Sequence, residues 1–88
     1  MIRIERIDDE TFRVTVKGGV TTQHEVSASS SYCEKLTGGR VAPEILIERS
    51  FEFLLERESN RSILARFDLE VIGRYFPEYE RAIRERLA

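Results

Sequence analysis

Cysteine, histidine and methionine each occur once in this chain, and tryptophan does not occur at all. A single thiol, Cys33, cannot close an intramolecular disulfide, and Cys33 with His24 falls short of the roughly three or four ligands of a zinc site. No metal or other cofactor is therefore expected. Charge of one sign is lacking too: 14 basic and 16 acidic side chains leave a formal charge of -2, which provides no net field to hold a polyanion or an acidic membrane surface. No apolar run approaches the roughly 18 residues of a membrane span. The stretch Met1-Ile2-Arg3-Ile4-Glu5-Arg6 interleaves charges where a signal peptide has its apolar core. These absences predict no membrane association and a reducing cytoplasm, where a free thiol is ordinary.

What is present is 88 residues, 41% apolar and 34% charged. That is material for one small domain, residues 1–88, with one core, because a second core would starve the first. Its pattern predicts an α+β class in two blocks. Ile2 and Ile4 alternate with Arg3 and Glu5, and Phe12, Val14 and Val16 alternate with Thr11, Arg13 and Thr15, the period-two signature of a sheet with one wet face. Asp8-Asp9-Glu10 supplies the first turn. Lys17-Gly18-Gly19 reads as a three-residue loop with Gly19 left-handed, which pairs Val16 with Val20, Val14 with Thr22 and Phe12 with His24. A three-stranded antiparallel meander over about residues 1–28 results.

The rest reads as helices over about residues 30–37, 43–57, 62–75 and 77–87. Ser31 and Glu34 have capping-box spacing, and Gly38-Gly39 stops the first helix, which carries Tyr32, Cys33 and Leu36. Pro43 and Glu44 open the second and strongest helix, whose Leu46, Ile47, Ser50, Phe51, Phe53 and Leu54 recur at helical spacing. Asp68 caps a segment from Leu69 to Tyr75, and Pro77 opens the last helix with Tyr79, Ile83 and Leu87. The main helix should cover one sheet face, with Phe12, Val14, Val16, Val26, Ile47, Phe51, Leu54, Ile72 and Phe76 as core.

Few residues here carry chemistry. Glu44, Glu48, Glu52 and Glu56 recur every four residues, tempered by Arg49 and Arg57, and read as the solvated face of the main helix. His24 falls on the apolar face of its strand and reads as a half-buried sheet residue with one nitrogen satisfied. Cys33 falls in the first turn of its helix, but its one candidate base, His24, is nine residues away on a strand and no orienting third group accompanies them, so it reads as packing or inert exposure. Gly18-Gly19 and Gly38-Gly39 lack the lysine-serine or third glycine of a phosphate loop. With no set of nucleophile, base and orienter, no catalytic residue and no enzymatic activity are expected. The concentration of aromatics around a proline in Tyr75-Phe76-Pro77-Glu78-Tyr79 is the best candidate for a surface where another protein, or a second copy, docks, with Tyr75, Phe76 and Tyr79 as its residues.

Two resemblances bear on the reading. The stretch Gly39-Arg40-Val41-Ala42-Pro43-Glu44-Ile45-Leu46-Ile47-Glu48-Arg49-Ser50 resembles the turn and second helix of ribbon-helix-helix repressors and antitoxins. Membership would imply an intertwined dimer whose strand reads DNA through Thr21, Gln23 and Glu25. This strand carries an acid and no Arg or Lys, and Ala42 stands where that family has its capping serine, so nucleic acid is disfavoured as a partner. The whole chain, above all Ser50-Phe51-Glu52-Phe53-Leu54-Leu55-Glu56-Arg57-Glu58 and Phe67-Asp68-Leu69-Glu70-Val71-Ile72-Gly73-Arg74-Tyr75-Phe76-Pro77-Glu78-Tyr79, is similar to a group of short bacterial proteins of unknown function. That likeness implies a stand-alone cytoplasmic protein and no particular activity. The expected function is a non-enzymatic protein-interaction module, the alternative a ribbon-helix-helix-like DNA-binding regulator or antitoxin.

Overall fold

The computed structural model describes residues 1–88 as an α+β fold in which helices pack on one face of a four-stranded sheet. The strands are β1 (Ile2–Asp8), β2 (Thr11–Val16), β3 (Thr22–Ser27) and β4 (Arg66–Asp68), in the order β1-β2-β3-β4. The first three form the antiparallel meander that the alternation predicts. Ile2, Ile4, Val14, Val16, Phe12 and Val26 share the inner face, with Ile4 opposite Val14 and Phe12 opposite Val26.

The second hairpin differs from expectation in its register, though not in which face is inside. Val16 pairs with Thr22, Val14 with His24 and Phe12 with Val26, so Lys17 to Thr21 all lie in the loop. Gly19 is not left-handed; positive φ is confined to Gly38 and Gly39. A distant residue stabilises the longer loop, since Asn60 Nδ2 donates to Val20 O at 2.7 Å.

The larger correction is β4. Residues 62–75, expected as helix, form a 3-10 turn at Asn60–Ser62, the strand Arg66–Asp68 and a short helix α3 (Val71–Tyr75). The strand forms because β3 has an unpaired edge. Glu25 N donates to Ala65 O and Leu69 N donates to Ser27 O, both at 2.8 Å. Phe67 thereby sits beside Val26, and Arg66 and Asp68 lie beside Glu25 and Ser27. A three-residue parallel strand has no local pattern of its own, and the bonds that make it come from residues some forty positions earlier.

The other helices are α1 (Ser30–Thr37), α2 (Pro43–Leu55) and α4 (Tyr79–Leu87). Ser29, not Ser31, caps α1: its Oγ accepts from Tyr32 N at 3.1 Å. Gly38, at φ 69°, closes α1 in the left-handed conformation that only glycine adopts without strain. Phe12, Val14, Val16, Val26, Ile47, Phe51, Leu54 and Ile72 are buried as expected, while Phe76 is half-buried. No helix is long and apolar enough to cross a membrane.

Candidate functional site

Where α3 leaves β4, the chain opens an apolar groove of about 220 Å³. Leu54 of α2 forms its floor with Ile63, Phe67 of β4 and Ile72 of α3, and Leu64, Val71, Tyr75 and Phe76 line the rest. Leu64 is 49% exposed and Tyr75 67%, so two large apolar side chains stand at its mouth in water. Glu58 is the one charged residue in the lining.

Local structure explains this placement. Asp68 Oδ1 accepts from Glu70 N at 3.0 Å, turning the chain sharply out of β4 into α3. Five residues later α3 ends, and Phe76 N donates to Ile72 O at 2.9 Å. Phe76 meets Phe53 edge to face at 5.9 Å, and the Arg57 guanidinium lies 3.6 Å above the Phe53 ring, so the aromatic wall is braced from behind.

Of the three residues singled out for partner contact, the structure brings two to this groove. Tyr75 is exposed and Phe76 half-buried. Tyr79 is a correction: it is fully buried, its ring packed on Phe53 at 5.4 Å and its hydroxyl 2.6 Å from Ser50 Oγ. The fourth-residue spacing from Tyr75 puts Tyr79 on a new helix that starts after Pro77, and α4 turns it inward. Sequence reasoning missed Leu64, Ile63, Phe67 and Val71. The apolar pair Ile63-Leu64, separated from Ser59-Asn60 by Arg61 and Ser62, is the available signal, and the expected helix absorbs it.

The groups with reactive chemistry are occupied. His24 is buried rather than half-buried, and both ring nitrogens are engaged: Nδ1 lies 2.8 Å from Leu64 O and Nε2 2.8 Å from Thr22 Oγ1. A carbonyl only accepts, so Nδ1 carries a proton, and in the neutral ring Nε2 accepts from the Thr22 hydroxyl. Cys33 is buried in α1, and desolvation, with the nearby Glu10 charge, pushes its thiol above the ordinary value, opposite to what a nucleophile needs. Burial also raises the Tyr32 phenol, and its bond to Glu80 Oε2 at 2.9 Å adds to the effect, so that it holds its proton. A second depression, bounded by Ser31, Tyr32, Lys35, Glu70, Arg74 and Glu80, is polar and spanned by the ion pair Lys35–Glu80 at 3.5 Å. No three His, Cys, Asp or Glu side chains stand close enough together to hold a metal ion.

The would-be DNA-reading positions lie elsewhere. Thr21 is in the hairpin loop, while Gln23 and Glu25 face out from β3, whose two sides are bonded to β2 and β4. Glu25 faces Arg66 at 3.5 Å. No protein-family model, curated protein or solved structure matches the chain.

Proposed function

We propose that this chain is a non-enzymatic protein-interaction module of the cytoplasm, akin to the short bacterial proteins it resembles, and that another protein inserts apolar side chains between Leu64 and Tyr75. The observation that carries this reading is the groove itself. Exposed apolar side chains converge on a concavity with a braced aromatic wall, the arrangement in which a partner's anchor residue is desolvated most completely. The non-enzymatic part is supported by the engagement of His24 and by the upward shifts of Cys33 and Tyr32. The DNA-regulator reading has less support, because a ribbon strand that pairs across a dimer needs a free edge and β3 is flanked on both sides.

The test is quantitative affinity capture with wild type, Leu64→Asp, Tyr75→Asp and the outer-face control Gln23→Ala, each first shown to be folded by circular dichroism. The expected result is a protein retained by wild type and by Gln23→Ala and lost from both groove variants. Equal retention by all four, or a shift of the protein's own upstream DNA that Gln23→Ala abolishes, would overturn the proposal.

A further inference from the structure

β1 lies at the edge of the sheet opposite β4, away from the groove. β1 is an edge strand, and its main-chain bonds to β2 fix which of its groups are free. Met1 and Lys17 exchange both their main-chain bonds, at 2.8 and 3.1 Å. In an antiparallel ladder bonded pairs alternate with unbonded ones, so Arg3–Thr15 and Glu5–Arg13 are bonded pairs and Ile2–Val16, Ile4–Val14 and Arg6–Phe12 are not. The N–H and C=O groups of Ile2, Ile4 and Arg6 therefore point away from the sheet. No other element of the chain bonds them.

The side chains on this edge are equally specific. On the outer sheet face, charges alternate in register across all four strands: Arg66 beside Glu25, Glu25 beside Arg13, Arg13 beside Glu5. Two of these steps are ion pairs, Arg66–Glu25 at 3.5 Å and Arg13–Glu5 at 3.4 Å. Glu5 ends the row, and its other neighbour is open. On the inner face Ile2 and Ile4 are only half-buried.

We propose that β1 is a self-recognition edge, and that two copies of this chain pair their first strands antiparallel about Ile4 and join their sheets edge to edge. Only this register satisfies every group at once. Centred on Ile4, the outward groups of Ile4 meet those of Ile4 in the second copy, and those of Ile2 meet Arg6, as bonded pairs. Arg3 then faces Glu5 of the other copy at an unbonded position, where side chains approach most closely, so the charge row that Glu5 ends gains one opposite charge, beyond which the second sheet presents the uncharged Thr15 and Gln23. Centring on Arg3 sets Arg3 against Arg3, and centring on Glu5 sets Glu5 against Glu5, both repulsive. Centring between residues sets free main-chain groups against ones already bonded to β2 and puts Ile4 on the wrong face. The register shift between Arg6 and Asp8 ends the pairing where the self-complementary segment ends. Charges on an edge ordinarily discourage strand addition; here Arg3-Ile4-Glu5 reads the same way in complement when reversed, so they reject other strands and accept this one.

An interface confined to Ile2–Arg6 is small, so a dissociation constant between about 1 μM and 1 mM is expected. Sedimentation equilibrium up to about 1 mM protein should show wild type moving towards twice 10.3 kDa. Arg3→Glu and Glu5→Arg should each weaken self-association about tenfold or more, since each sets like charges opposite one another twice per dimer. Their equimolar mixture should associate again, because Glu at position 3 of one copy then meets Arg at position 5 of the other. Glu5→Arg also opposes Arg13 within its own chain, so Ile4→Pro, which removes the central outward N–H along with part of a half-buried side chain, serves as a second variant once circular dichroism shows it folded, and should be monomeric. A wild type that stays monomeric, a dimer indifferent to Arg3→Glu and Ile4→Pro, or a mixture that does not recover would overturn the proposal. A dimer lost in Tyr75→Asp but kept in Arg3→Glu would move self-association to the groove and overturn the edge.

Discussion

Replacing Ser50 by Ala should destabilise the fold more than replacing Tyr79 by Phe, and the second change should relieve the first. The reason is the direction of two buried hydrogen bonds. Ser50 Oγ donates to Leu46 O at 2.7 Å and lies 2.6 Å from the Tyr79 hydroxyl. Serine has one hydroxyl proton and spends it on the carbonyl, so Tyr79 must be the donor in the second bond. Burial holds the Tyr79 phenol above its ordinary value, so the proton is present at any ordinary pH. Ser50→Ala strands a donor in a fully buried side chain, a penalty of about 1–3 kcal/mol, offset by a few tenths from the better helix propensity of alanine. Tyr79→Phe removes the donor and leaves Ser50 bonded to Leu46, a loss of about 0.5–1.5 kcal/mol. With both changed no polar group is stranded, so Ser50→Ala/Tyr79→Phe should be no less stable than Ser50→Ala alone. The cost of the double change should fall short of the summed single costs by about 1 kcal/mol. Urea unfolding of the four proteins measures this, and in a domain this size about 1 kcal/mol is also roughly 4–8 °C in melting temperature. Additive losses, or a Tyr79→Phe change that harms the Ser50→Ala background as much as the wild type, would refute the reasoning.

The buried acids predict an alkaline limit. Tyr32, Tyr79 and Cys33 are all raised in the folded chain, chiefly by burial, from ordinary values of 10.0, 10.0 and 9.0. A folded value above the unfolded one leaves stability intact below the unfolded value and erodes it as pH rises beyond, so urea midpoints should be level near neutrality and decline above about pH 9. Tyr79→Phe should shallow that decline, and midpoints that stay level to about pH 11 would contradict it. Asn60→Ala should cost about 0.5–1.5 kcal/mol by freeing Val20 O, and should speed amide exchange in the loop from Lys17 to Thr21 while leaving β1 unchanged. Unchanged exchange in that loop would mean the hairpin holds its own register.

Much of the architecture was legible because it rests on local pattern. The alternation through β1 and β2, Pro43 at the start of α2 and Gly38 after α1 specify elements by residues a few positions apart. What was not legible depends on distant partners. The five-residue loop after Val16 is held by Asn60, and β4 exists because Glu25 and Ser27 offer it bonds. Taken alone, Ser62 to Tyr75 has the pattern of helix, and only the edge of β3 makes Arg66–Asp68 a strand. The same expectation hides Leu64 and Phe67 from the candidate site. Tyr79 has a separate cause: aromatic clustering near a proline marks a junction between helices, but whether a ring faces water or the core is decided by which way α4 leaves it. His24 illustrates the point at a single residue. Its strand parity put it inside, and only the path of Leu64 across the sheet shows that its second nitrogen is also satisfied.

The proposed function requires that the groove between β4 and α3 receive a partner protein. A photoreactive benzoylphenylalanine at position 75, compared with one at position 23 on the outer sheet face, tests it in the cells that make the protein. Irradiation should give a discrete covalent adduct with one other protein from position 75, lost when Leu64→Asp is added and not formed from position 23. No adduct from position 75, or the same adducts from both positions, would contradict the claim.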